Sequence, residues 1–340
     1  MKTLKNSILI ICLLAISGTV TAQLRFIVQN GDSAKVYGTF GAAFAATQQG
    51  DTLYLPGGTF NMGNITIDKK LTMIGAGHHP TYSQATGRTE ITGSIALITG
   101  SDTSRFSGFY LSGNINFGTS KTNSNITNIE ISRCNVNTIK LYYSDYYGSS
   151  PSLAEQLLIS ENIIRGEIVG GDAQNVLIEK NILHNIQDFN NNVLISNNVV
   201  LIPNSLMFQE ITSCTIQNNV FIHTGTYLFY NNSANTVKNN LFVNTYLGET
   251  DNIDQQPLES IFVNYTGGAF SYDFDFHLQE TSPGKNAGSD GTDIGIYGTV
   301  MPWKDGGVPF NPHITIEDIA TKTDTEGKLN VKVTVEAQNN

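Results

Sequence analysis

The chain has 340 residues, 40% of them apolar, with 19 Lys and Arg against 29 Asp and Glu, a formal net charge of −10. That balance disfavours a nucleic-acid partner, because an acidic surface repels a phosphate backbone. By length alone the chain could form two ordinary domains or one long all-β solenoid, and only periodicity separates these.

Lys2 and Lys5 precede an apolar run from Ile8 to Ile16 that ends in Val20-Thr21-Ala22. A basic start, a short apolar run and a small-residue site form an export signal, with cleavage expected after Ala22. The run is about half of the roughly 20 residues a membrane span needs, and no transmembrane segment is expected. Cleavage leaves 17 basic against 29 acidic residues, a net charge near −12. The protein is expected to be secreted, periplasmic or on the cell surface.

Thr39 to Gln48 place Phe40, Ala43, Phe44 and Thr47 at helical spacing, before Gly50-Asp51 and the strand-like Thr52-Leu53-Tyr54-Leu55. This predicts a short amphipathic helix capping one end of a solenoid. Irregular coils follow at Leu71–Gly75, Glu90–Gly93 and Phe106–Phe109, with Gly at the turns. His78-His79 are read as a solvated turn.

A unit of the form apolar, any, any, Asn, apolar then recurs. It is Ile131-Ser132-Arg133-Cys134-Asn135-Val136 with one extra residue, then Ile159–Ile163, Ile178–Ile182, Ile195–Val199, Ile216–Val220 and Val237–Leu241. The Asn returns after 27, 19, 17, 21 and 21 residues from Asn135. A period near 20 with β-branched residues and no heptad predicts a β-solenoid whose coils bury their apolar faces on one another. Apolar residues are expected inward and polar ones outward. Each Asn is assigned to a left-handed turn and to an amide ladder along the axis. Cys134 and Cys214 then lie four coils apart and are expected to be separate thiols.

The closing segment runs through Asp275-Phe276-His277-Leu278 and Ser282-Pro283 to Asp293-Ile294-Gly295, and the tail alternates at Ile314, Ile316, Leu329, Val331, Val333 and Val335. The expected division is a signal peptide at 1–22, a right-handed parallel β-helix at 23–300, and a linker with a C-terminal β tail at 301–340 that packs on the solenoid. The fold class is all-β, with a short N-terminal capping helix and a C-terminal strand extension; a monomer is expected.

The helix with its Gly-Asp, the turn Ile74-Gly75-Ala76-Gly77, the Asn-marked coils and Asp293-Ile294-Gly295 together resemble the pectate-lyase-like right-handed parallel β-helix superfamily, over about residues 26 to 300. The likeness extends to secreted β-helix proteins of Bacteroidetes-type bacteria. The resemblance implies a fold shared by lyases, hydrolases, esterases, adhesins and binding scaffolds, and so leaves the chemistry open. The Asn-Thr-Asp, Asp-Asp, Gly-His-Gly and Arg-Ile-Lys strings of galacturonase-type hydrolases are not found here. The Trp-Ile-Asp-His strand of the pectate lyases is not found either.

A β-eliminating lyase needs a base and a cation for the uronate carboxylate, for which Arg133, Arg165, Lys140 and Lys180 in the central coils are candidates. A hydrolase needs paired carboxylates, for which Glu161 and Glu179 on adjacent coils are candidates. His184 and His223 each follow a marker and could approach across two coils, or sit as plain strand-surface histidines. Glu249, Asp251 and Asp254 are the candidate ligands for a calcium ion, which takes oxygen donors. The longest insertion carries Tyr142, Tyr143, Asp145, Tyr146 and Tyr147, whose flat faces and hydroxyl tips suit stacking on sugar rings. The reading favoured is a scaffold that contacts extracellular or cell-envelope polysaccharide through this loop. A polysaccharide lyase or glycoside hydrolase acting on acidic polysaccharide, and a non-catalytic structural or adhesive surface protein, are the alternatives.

Overall fold

The computed structural model describes residues 24–145, 148–149, 154–171, 173–190, 192–201, 208–223, 229–245, 251–309, 313–320 and 322–336. The expected export signal, Tyr146, Tyr147 and Glu249 lie outside the described residues. The chain winds into a β-solenoid of about eight turns. Each turn contributes one strand to the first of two stacked sheets and one or two strands to the second. The first sheet stacks Thr52–Tyr54, Thr72–Ile74, Arg105–Ser107, Glu130–Ser132, Glu155–Ser160, Gln174–Glu179, Val193–Ser196, Thr215–Gln217 and Thr236–Lys238. The second runs from Gly58–Ile67 and Thr89–Leu97 through Ile163–Val169, Ile182–Asn190, Val199–Leu201 and Val220–Ile222 to Leu241–Phe242. Among the described residues no helix is long and apolar enough to cross a membrane.

The first end is closed as expected by helix α1 (Phe40–Ala46), whose N-cap Thr39 accepts a hydrogen bond from the Ala42 N–H at 3.3 Å. Phe40 stacks on Phe44 and Phe60, and Phe26 meets Phe40 and Phe60 edge-on. An antiparallel hairpin, Phe26–Asn30 with Ser33–Tyr37, completes this end and pairs antiparallel with Thr52–Tyr54. The two-residue loop at its tip is Gly31-Asp32, with Gly31 at φ 52°, the left-handed backbone a tight hairpin turn requires.

The register of the Asn column differs from expectation in two ways. Asn135 pairs with Ile163, so Cys134, not Asn135, stands opposite Asn162. The column is Cys134, Asn162, Asn181, Asn198, Asn219, Asn240 and Asn252, in which each backbone N–H donates to the next Asn Oδ1 at 2.9 Å. From Asn162 onward each Nδ2 also bonds a main-chain carbonyl of the preceding coil, from Ile131 to Val237, at 2.8–2.9 Å. The amide ladder is thus present and runs one coil beyond the expected markers. The left-handed residue, however, is the one before each ladder position: Arg133, Glu161, Lys180, Asn197, Asn218 and Asn239 all have φ between 52° and 57°. The ladder Asn needs its side chain pointing inward along the axis, so the sharp turn falls on its neighbour.

Cys134 and Cys214 are both free and buried, as the coil count required. Burial pushes their thiols up, to about 12 and about 11, so neither presents a reactive thiolate.

Apolar residues lie on both faces of the second sheet, a second difference from the expected alternation. Ile164, Leu183, Val200 and Phe221 point into the solenoid, where they join the main core. Ile163, Ile182, Val199, Leu201, Val220, Ile222 and Leu241 point out of it and form a separate core with Ile261, Phe262, Phe276, Ile294, Ile296 and Trp303. Strands covered on both faces read as continuous apolar runs, which is what Val199-Val200-Leu201 and Val220-Phe221-Ile222 are.

The cover is the chain after the last coil, which returns along the outside against the direction of winding. Asn239 Nδ2 reaches Ala287 O (3.5 Å), Gly295 N–H donates to Asn218 O (2.8 Å) and Asn197 Nδ2 to Gly295 O (3.2 Å). Further along, Lys180 Nζ donates to Met301 O (3.2 Å), Lys304 N–H to Glu161 Oε2 (3.3 Å) and Arg133 Nη1 to Val308 O (2.9 Å). The left-handed turn residues are therefore the pegs of a strap. Beyond it, His313–Ile319 and Val331–Glu336 form an antiparallel hairpin whose Ile316, Ile319, Val331, Val333 and Val335 are exposed.

Candidate functional site

The structure redistributes the predicted site residues. Arg133 is 3% exposed at its side chain and pairs with Glu161 at 3.0 Å; Lys180 pairs with Glu179 at 3.0 Å. Buried ion pairs of this kind satisfy one another and the strap, and no substrate face is left on Arg133. Arg133, Glu161 and Lys180 are pegs of the strap, and Glu179, 23% exposed at its side chain, flanks Lys180 from outside. Tyr142 lies half-buried on Gly171, where a Cβ would come within 2.4 Å of its ring, with Lys140 Nζ 4.6 Å from the ring centre. Ser144 and Asp145 pair antiparallel with Ser149 and Gly148. The main-chain oxygens of Asp251 and Asp254 accept bonds from Asn239 N–H and Gln256 Nε2. Among the described residues, no three His, Cys, Asp or Glu come together as a metal would need.

What the fold does build is a cleft of about 310 Å³ between the second core, the strap and the loop at His78–Tyr82. The strap can lie this close because of Gly306 and Gly307, at φ 87° and 56°: a Cβ on Gly306 would meet Tyr82 at 2.5 Å, and one on Gly307 would meet His78 Nε2 at 2.2 Å. Trp303, Phe276 and Ile296 form the floor. At the mouth His277 stacks on Tyr297, ring centres 3.6 Å apart and planes at 16°. His277 Nδ1 bonds Asp275 Oδ1 at 2.7 Å, and the Tyr297 hydroxyl donates to Asp305 Oδ1 at 2.6 Å. Burial, then the Asp305 carboxylate, pushes the Tyr297 hydroxyl well above its ordinary value. It remains a donor at any working pH.

His78 corrects the expectation of a solvated turn. It is fully buried, and its Nδ1 shares a 3.0 Å hydrogen bond with the Tyr272 hydroxyl, which also accepts from Asn135 Nδ2 at 2.9 Å. Burial, assisted by His79, lowers its pKa to about 3, so the ring is neutral. His79 remains at the cleft, edge-on to Tyr82 and Tyr272 at 4.9 and 4.8 Å. Burial lowers the pKa of His79 as well, against the opposing pull of Asp305 and Asp273.

Tyr272 and Phe270 divide this cleft from a second chamber of about 270 Å³. There Arg165 is held by Leu111 O (2.8 Å), Ser112 O (3.1 Å) and Asn135 Oδ1, and lies 4.4 Å from the Tyr110 ring centre. Of the residues singled out from the sequence, Arg165 and His184 line this chamber. The rest of the site escaped sequence reasoning because its parts come from four distant segments. The available signals were the aromatic run Phe270, Tyr272, Phe274, Phe276 and the double apolar runs that require a cover. No protein-family model matches the chain, and no curated protein is significantly similar to it.

Proposed function

We propose that this is an exported β-helix of the pectate-lyase-like kind that binds a glycan of extracellular or cell-envelope polysaccharide in the cleft under its strap. The stacked His277–Tyr297 pair, with a carboxylate bonded to each ring, carries the reading. Sugar rings present flat C–H faces that pack on aromatics, and hydroxyls that donate to carboxylates. Asp275 and Asp305 supply acceptors on both sides of one stacking platform, and the apolar floor excludes water, as small-ligand sites require. The basic start and apolar run to Ala22 support export.

A hydrolytic reading is the second, favoured by one observation: two carboxylates face a single cleft, the minimum for acid–base cleavage of a glycosidic bond. A glycan array with the purified protein tests the first reading. Binding should fall at least about tenfold in Tyr297→Ala and in Asp305→Asn, since hydrogen bonds to a charged group contribute about 1.5–3 kcal/mol. Circular dichroism should show both variants folded. Undiminished binding in Tyr297→Ala would place the glycan elsewhere, and loss only in Tyr146→Ala with Tyr147→Ala would return it to the tyrosine loop. New reducing ends, lost in Asp275→Asn and Asp305→Asn, would establish hydrolysis.

A further inference from the structure

The coil arginines share a pattern that one of them breaks. Arg88 pairs with Glu90 (2.6 Å), Arg105 with Glu130 (3.3 Å) and Arg133 with Glu161 (3.0 Å). Arg165 has no carboxylate partner among the described residues; its contacts are carbonyl oxygens, one amide and the Tyr110 ring. Carbonyls satisfy its N–H groups but leave its charge uncancelled. Partial burial makes that costly, because a charge away from water needs an opposite charge or a strong field of dipoles.

The register shows what the cation faces. Ile164 pairs with Leu183 and Glu167 with Asn185, so a bulge sets Arg165 and Gly166 opposite His184 on the next coil. Leu183 pairs with Val200, which places Leu201 beside His184 one coil further on. Neighbouring strands lie about 4.8 Å apart. The outward column therefore passes from guanidinium to imidazole to isobutyl within about 10 Å. His184 makes no side-chain hydrogen bond among the described residues and lines the same chamber. Leu201, Phe270 and Ala269 continue the wall on its apolar side, with Ile163 and Ile182.

We propose that this second chamber binds a monocarboxylate with an apolar body, a short aliphatic or aromatic acid. Its carboxylate sits at Arg165 and His184 and its body lies over Leu201 and Phe270. A charge-assisted bond to the guanidinium supplies the missing counter-charge. A uronate fits less well, since its ring hydroxyls would face the apolar wall without partners. This site stands apart from the glycan cleft, and either reading survives failure of the other.

Titration calorimetry of the purified protein with hexanoate and benzoate, beside hexanamide, 1-hexanol and galacturonate, tests the proposal. Saturable binding of the two acids is expected, with hexanamide and 1-hexanol at least about tenfold weaker and galacturonate weaker than either acid. Arg165→Gln should reduce hexanoate affinity at least about tenfold, consistent with loss of a charged hydrogen bond. Because Arg165 also ties Leu111 and Ser112, Ala269→Trp provides a second variant, closing the exposed mouth while leaving the guanidinium in place. It too should abolish binding. No saturable heat with either acid, equal affinity for hexanamide, tighter binding of galacturonate, or hexanoate binding unchanged in a folded Ala269→Trp protein would each overturn the proposal.

Discussion

Position within a coil decides what a given residue type does here. Asn162 and Asn135 look alike in the sequence, yet one is buried in the ladder and the other donates to the Tyr272 hydroxyl. Arg133 and Arg165 diverge in the same way, one pinned to Glu161 and the strap and the other open to a chamber. His78 permits a test at this scale. Its folded pKa of about 3 lies below the ordinary 6.5, so below pH 6.5 the unfolded chain takes up a proton that the folded one refuses. Stability conferred by neutral His78 is therefore complete above pH 6.5 and is lost as pH falls toward 3. From pH 6.5 to 4.5 the loss is about 2–3 kcal/mol, at about 1.4 kcal/mol per pH unit. Urea unfolding at pH 7.5 and 4.5 should show this drop for the native protein and a correspondingly smaller one for His78→Gln. Burial pulls His184 and His223 down as well, which is why the variant is the comparison that isolates His78. Equal drops in both proteins would contradict the burial.

At the scale of the element, the ladder and the strap do complementary work. The ladder Asn takes the inward amide bonds, and the residue before it takes the left-handed turn and holds the strap. Asn198→Ala removes the acceptor for the Asn181 N–H and Nδ2 and the donor to Ile178 O, Ser196 O and Asn219 Oδ1. At about 1 kcal/mol for each bond lost, its unfolding free energy should fall by roughly 4–5 kcal/mol. Asn135→Ala lies outside the ladder and should cost only about 1–2 kcal/mol. Denaturant unfolding of the two variants checks the register, and equal costs would mean that Asn135 belongs to the column after all. The short helix is a simpler case, since Thr39, Phe40, Ala43 and Phe44 state its cap and its buried face directly.

The whole molecule is a solenoid with two cores, one inside the coils and one trapped between the second sheet and the returning chain. Both chambers sit in the outer core, because only there do residues far apart in sequence meet without filling the space between them. The C-terminal hairpin is a separate matter: its strands pair with each other, and Val331, Val333 and Val335 are 46–56% exposed. Removing residues 313–340 should leave the unfolding midpoint of the solenoid unchanged within error. Ending the chain at Gly288 should instead strip the cover from Ile163, Ile182 and Val199 and produce a protein that binds a hydrophobic dye. Thermal melts and dye fluorescence on the two truncations separate these outcomes, and a large loss on removing the hairpin would show that it supports the coils.

The period near 20, the alternating first-sheet strands and the Thr39–Thr47 pattern determined the solenoid, its coil count and its capped end, because these follow from local backbone geometry and from stacking adjacent turns. The coil count was sufficient to separate Cys134 from Cys214. The one-residue shift at Cys134-Asn135 was not decidable from the pattern, since both residues tolerate either place and only pairing with Ile163 selects one. The site was beyond reach for a related reason. Neighbour-to-neighbour stacking repeats and can be read along the chain, whereas the strap brings Arg133 to Val308 and His78 to Tyr272 across 175 and 194 residues. Such contacts depend on which outward face stays apolar and on what chain remains to cover it, and packing in three dimensions alone decides that.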